Sequence, residues 1–104
     1  MSASSGGASL VRILTLLSAL WLGDCGPGLY LASLRPAVRA VDRAREAGAE
    51  ERATYDYYFA LAHLDKAREE AAESAFQDAA DHARVAREHA ESAEAASRAA
   101  EPAP

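Results

Sequence analysis

The side chains of this sequence that could take part in chemistry are one cysteine and three histidines, His63, His82 and His89. His82 and His89 are seven residues apart, so on a helix they lie two turns apart and cannot share a metal ion by themselves. Metal sites on helices usually use histidines four residues apart or clusters of cysteine and histidine, and the sequence has neither. We therefore predict that the histidines are solvated or lie at a helix interface, with no bound metal and no cofactor.

The charged residues also fail to form a recognisable catalytic site. The chain has 16 acidic and 11 basic residues, and the two kinds alternate along segments expected to be helical. A catalytic pair of carboxylates needs a concave, partly dry pocket, for which thin alanine-rich helices offer little room. No glycine-rich phosphate loop, serine nucleophile elbow or Cys–His pair is visible, so we predict that the protein is not an enzyme. The net charge of -5 and the lack of a basic block argue against nucleic acid as a partner.

The position of the single cysteine indicates where the protein resides. Residues 13–22, ILTLLSALWL, form an almost wholly apolar run that ends just before Cys25. The run is half as long as the roughly 20 residues that a membrane-spanning helix needs. It fits the apolar region of an export signal, preceded by Arg12. A lone cysteine cannot form an internal disulfide, so the redox compartment has to be inferred from this targeting segment.

The residues around Cys25 resemble a bacterial lipobox. Leu22 and Gly23 match the pattern, and Asp24 stands where glycine, alanine or serine is usual. The resemblance implies that a signal peptidase recognises residues 22–24 and cuts before Cys25, which then carries lipid. One acyl chain binds a membrane only weakly, whereas two or more hold it firmly. This interpretation divides the chain into a signal peptide (1–24), a lipidated tether (25–33), an α-helical domain (34–100) and a disordered tail (101–104).

Two further points concern the anchor. Gly26 differs from the aspartate that retains lipoproteins in the inner membrane of enteric bacteria, so resemblance to that rule favours the outer membrane. Small residues at Gly26 and Gly28 leave ordinary signal cleavage after Gly28 as an alternative, which would remove the cysteine.

Apolar spacing predicts an all-α fold with three helices. The first covers residues 34–47, with Pro36 in its first turn and Gly48 as its stop. The second covers residues 54–72, with Thr54 as its cap. The third begins near residue 76 and carries a narrow seam at heptad-like spacing, made of Phe76, Ala79, Ala80, Ala83, Ala86, Ala90, Ala93 and Ser97.

The connection between the second and third helices has two interpretations. No glycine or proline lies between residues 71 and 83, so residues 54–100 could form one long helix that acts as an oligomeric coiled-coil spacer. Alternatively the chain turns near residues 73–76 and the two helices form an antiparallel hairpin.

The best candidate for a protein interface is the aromatic cluster Tyr55, Tyr57, Tyr58 and Phe59. These four side chains cannot all point in one direction on a helix, so some face the partner helix and at least one stays exposed. An exposed tyrosine patch would mark an interface, and we single out Tyr55, Tyr58 and Phe59 for it. Core packing at one end of the hairpin is the alternative use of the same residues.

Residues 29–97 resemble a family of short α-helical bacterial lipoproteins, domain of unknown function 4398. The resemblance rests on AVRAVDRAREAGAEE (37–51), YDYYFALAHLDKAREEA (55–71) and SAFQDAADHARVAREHAESA (74–93), the last two of which are similar to a tetratricopeptide helix hairpin. It implies an envelope lipoprotein that displays a protein-interaction or scaffolding module. A single repeat rarely buries enough surface alone, so the expected partners are the membrane, through the lipid, and an envelope protein or a second copy.

Overall fold

The computed structural model describes the backbone of residues 3–103, and the side chains of Arg12 and of residues 26–103. Four helices cover most of this range: α1 (Ala3–Glu46), α2 (Ala49–Arg52), α3 (Thr54–Ala72) and α4 (Phe76–Ala99). No strand occurs between residues 3 and 103, so the prediction of an all-α fold is confirmed.

The first long helix is much longer than the sequence predicts. α1 runs without interruption through residues 25–33, where we expected a tether, and through Pro36, which we expected in a first turn. A proline inside a helix removes one backbone hydrogen bond and costs about 3 kcal/mol. The packing of α1 offsets that cost, because Tyr30, Leu34 and Val38 all pack on the core from this helix. The carbonyl that Pro36 leaves unpaired belongs to the exposed Ala32, where water can satisfy it.

α4 lies beside both other long helices and makes more contacts with each than α1 and α3 make with one another. It runs parallel to α1, because Gly26 lies against Phe76 at one end and Arg43 Nε lies 3.3 Å from Glu94 Oε2 near the other. It runs antiparallel to α3, because Asp56 near the start of α3 meets His89 late in α4. α4 is therefore the shared packing surface of the fold.

The alanine seam predicted for α4 is buried. From Ala79 to Ser97, with Ala80 set aside, its residues are four, three, four, three and four positions apart, which keeps them on one stripe of the helix. The fully buried members of α4 are Ala79, Ala80, Ala83, Ala86, Ala90, Ala93 and Ser97. Alanines of α1 and α3 complete the core together with Val41, Tyr57 and Leu64. Small side chains let the helix backbones approach closely, so the core is thin and tightly packed.

The chain turns at residues 73–75, so the single long helix over residues 54–100 is wrong. Ser74 has a φ of 64°, in the left-handed region. The amide of Ser74 donates to the carbonyl of Ala71 at 3.0 Å, and the amide of Ala75 donates to the carbonyl of Glu70 at 2.9 Å. This pair of hydrogen bonds is the Schellman arrangement that ends many helices. Serine occupies the position where glycine is usual, which explains why the sequence gives no turn signal here.

Replacing Ser74 by glycine is expected to stabilise the protein by about 1 kcal/mol, because glycine adopts a positive φ without the steric cost that other residues carry. Urea denaturation of the full-length chain in a mild non-ionic detergent, followed by helical circular dichroism, measures the change. Ala72→Gly is the matched control. Ala72 is an exposed residue in the last position of α3, where glycine should destabilise by a similar amount. If Ser74→Gly destabilised the protein as Ala72→Gly does, the left-handed conformation of Ser74 in this turn would be wrong.

The link between α1 and α3 contains the short helix α2. Gly48 has a φ of 81°, as its predicted role as the stop of the first helix requires. Residues 49–52 then form one helical turn. The prediction that Thr54 caps the next helix is wrong, because its hydroxyl donates backwards to the carbonyl of Glu50 at 3.0 Å. α2 supplies the preceding turn, so the threonine has a nearby carbonyl to bond instead.

Candidate functional site

The four clustered aromatic residues of α3 point in different directions. Tyr55 and Tyr58 are 74% and 54% exposed, whereas Tyr57 is only 1% exposed. Phe59 is half-buried and faces α4. The three residues predicted as an interface therefore divide into two exposed tyrosines and one phenylalanine that lies between helices.

Tyr57 joins three helices through its hydroxyl. Arg45 Nε of α1 donates to the Tyr57 oxygen at 3.0 Å, and the Tyr57 hydroxyl donates to Glu50 Oε1 of α2 at 3.1 Å. The ring is buried in the core, while the hydroxyl reaches the edge where the charged partners remain half exposed. This arrangement holds the loop between α1 and α3 in place, and it orients the segment that presents Tyr55 and Tyr58.

Phe59 and the three histidines of the chain form one cluster, which His82 joins through His63. Its ring centroid lies 4.6 Å from that of His63 on the same helix and 4.2 Å from that of His89 on α4. His89 Nδ1 lies 2.9 Å from Asp56 Oδ1, so this histidine has a carboxylate partner. The histidines are interfacial, in agreement with one of the two placements expected from the sequence.

The two other imidazoles meet directly across the α3–α4 interface. His63 Nδ1 and His82 Nδ1 are 3.0 Å apart, and the ring centroids are 5.2 Å apart. The pKa of His63 lies below its usual value of 6.5. Partial burial is the main cause, and the nearby His82 and His89 lower the pKa further. A neutral pair can share one hydrogen bond, with one Nδ1 donating and the other accepting.

A shallow cleft lies at the end of the bundle where α1 joins α2. It has a volume of about 240 Å³ and is lined mainly by charged residues, including Glu46, Glu51, Arg52 and Arg98. The acids and the arginines lie side by side and the cleft is open to solvent. It therefore does not supply the dry, enclosed environment that shifts a catalytic carboxylate. In the part of the chain with described side chains, no group of three or more histidine, cysteine, aspartate or glutamate residues is arranged so that all could bind one metal ion.

The opposite end of the bundle lies next to the predicted anchor. A Cβ added to Gly26 would come 2.9 Å from Cδ2 of Phe76, so glycine permits this close contact between α1 and α4. Leu29 and Leu31 follow on α1 and are 42% and 44% exposed. The predicted lipid site Cys25 and the predicted recognition residues Leu22, Gly23 and Asp24 lie outside the residues whose burial and contacts the structure describes. In the part of the chain that the structure describes, no helix has both the length and the apolar character to cross a bilayer.

Sequence reasoning identified the aromatic residues and the histidines but did not pair them. The spacing does predict one of the contacts, because Phe59 and His63 are four residues apart and therefore share a face of a helix. His82 and His89 are seven residues apart and flank the alanine seam at equivalent positions. The partner of each histidine on the other helix depends on the register of the hairpin, which local spacing does not define.

Comparison with known proteins gives no match to a family model, to a curated protein or to a solved structure. The resemblance to short helical lipoproteins stays a prediction from the sequence segments given above.

Proposed function

We propose that the protein is an exported bacterial lipoprotein, held to the cell envelope by lipid on Cys25, that displays its helices as a protein-interaction or scaffolding module. Its position in the envelope is supported by residues 13–25, an apolar run followed by a lipobox-like segment. Its action as an interaction module, not an enzyme, is supported by the shallow, solvent-open form of the charged cleft where α1 joins α2.

The observation that carries the proposal is how near the predicted lipid attachment site lies to helix packing. Gly26, the residue directly after that site, lies against Phe76 of α4. A lipid on Cys25 would therefore be joined to a packed bundle without a flexible tether between them. Such a connection holds the bundle close to the membrane surface and restricts its orientation, which suits a scaffold that presents one surface to a partner.

The exposed tyrosines lie far from that attachment point. Gly26 and Glu46 are separated by 20 residues of α1, or about 30 Å at 1.5 Å per residue. Tyr55 and Tyr58 lie beyond the α1–α3 connection, near this remote end. An envelope protein or a second copy of the chain could reach them while the lipid stays in the bilayer. Tyrosine is favoured in such contacts because it combines a large apolar ring with a polar tip.

Mass spectrometry of the intact protein from the membrane fraction of its host tests the anchor. We expect a mature chain that begins at Cys25 and carries diacylglycerol and acyl mass. Cys25→Ala should abolish both the added mass and the cleavage before residue 25. Asp24→Gly is the matched variant, because it restores a residue type usual at that lipobox position and should increase the processed fraction.

Two results would contradict the lipidated form. A full-length, unmodified chain in the soluble fraction would remove the envelope assignment, and the helices would then act elsewhere. A chain that starts at Leu29 would show cleavage after Gly28 and export without a lipid.

A further inference from the structure

We infer that His63 and His82 form a binding site for one divalent late first-row transition-metal ion, bridging α3 and α4. The site follows from the meeting of two imidazole nitrogens from different helices at 3.0 Å. This inference is independent of the lipid anchor, because it depends only on the α3–α4 hairpin.

The separation of the two nitrogens suits two ligands of one metal ion. Metal–imidazole bonds are about 2.0–2.1 Å long, so two nitrogens at a right angle about a metal are about 2.9 Å apart. A tetrahedral angle would require about 3.3 Å for the same bond lengths. The observed 3.0 Å is closer to the right-angled arrangement, which is typical of Cu²⁺ and Ni²⁺ in nitrogen and oxygen ligands.

The surroundings of the pair leave room for this chemistry. Both histidines are only partly buried, so water can occupy the remaining coordination positions. The rings also hold fixed positions, because Phe59 packs on His63 and the helix interface holds both residues. The metal would act as a clamp across the hairpin.

His89 differs from the other two histidines and supplies an internal control. Its Nδ1 already lies 2.9 Å from Asp56 Oδ1, and its contact with His63 runs through the ring of Phe59. It belongs to the same cluster but not to the pair of converging nitrogens. Substitution of His89 should therefore leave metal binding in place.

Isothermal titration of the full-length, tag-free chain with Ni²⁺, at pH 7.5 in a mild non-ionic detergent, tests the inference. We expect one ion per chain and a rise in melting temperature with metal concentration, because an ion that binds the folded state stabilises it. His63→Gln and His82→Gln should each weaken binding by roughly tenfold or more, whereas His89→Gln and Cys25→Ser should not. Glutamine retains polarity and much of the volume, and circular dichroism shows whether each variant folds.

Cu²⁺ and Zn²⁺ titrations complete the design. Tighter binding of Cu²⁺ than of Ni²⁺ would agree with the usual affinity order of divalent ions. The inference is overturned if the folded wild-type protein binds no Ni²⁺ at a metal concentration on the order of 1 mM, which would detect even a weak site. It is also overturned if binding persists in both His63→Gln and His82→Gln, or if His89→Gln or Cys25→Ser abolishes it.

Discussion

Ala86→Leu is expected to destabilise the protein by about 3 kcal/mol, at the upper end of the range for overpacked cores. Ala86 is fully buried in the seam of α4. Its neighbours in the core are mainly other alanines, which have no side-chain freedom with which to make room. Three added carbon atoms would therefore force α4 away from the helices on either side of it. Because α4 is the shared packing surface, separation there weakens the whole bundle.

Urea denaturation of the full-length chain in a mild non-ionic detergent, monitored by circular dichroism, gives the free energy of unfolding. Ala95→Leu is the matched control, because Ala95 is exposed on the same helix. Leucine and alanine have similar helix propensities, so the control should change stability by less than about 0.5 kcal/mol. If the two variants were equally stable, the close packing of α4 would be wrong.

Tyr57→Ala is expected to remove about 3–5 kcal/mol of stability, as is usual when a buried aromatic side chain is truncated. Tyr57 is the largest fully buried side chain among the described residues. The surrounding alanines cannot expand into the cavity that its removal would leave. The substitution also removes the shared hydroxyl partner of Arg45 and Glu50. In a small domain this loss approaches the total stability.

Tyr57→Phe separates the two contributions. It retains the ring and deletes the hydroxyl, whose charged partners can turn to water because both are about half exposed. We expect a cost of about 0.5–1.5 kcal/mol. Tyr55→Ala is the control for the aromatic type, since Tyr55 is 74% exposed and its substitution should cost much less than that of Tyr57. The comparison uses the same urea denaturation, and a larger loss for Tyr55→Ala would reverse the assignment of core and surface in this cluster.

Local spacing in the sequence determined much of the α3–α4 hairpin. The predicted helix 54–72 coincides with α3, and the predicted seam, apart from the half-buried Phe76, is the set of buried residues in α4. Gly48 ends the first helical segment as expected. These features are readable because helix periodicity and glycine conformation act over a few neighbouring residues, with no need for a partner element.

The aromatic cluster shows how far the same reasoning reaches. Helix geometry required the four side chains to divide between core and surface, and they do. The omission of Tyr57 from the predicted interface agrees with its burial. Local spacing did not predict the hydrogen bonds of its hydroxyl, because these depend on where Arg45 and Glu50 lie around α3.

Tertiary structure alone decided the remaining features. α1 continues through Pro36 because its apolar stripe packs along α4, which offsets a local cost that would otherwise end the helix. Ser74 adopts a positive φ because the packing of α3 on α4 holds the turn closed without glycine. His63 meets His82 because the hairpin register brings together residues that are 19 positions apart in the sequence. Each outcome depends on contacts between distant segments, whose free energy outweighs the local preference of a single residue.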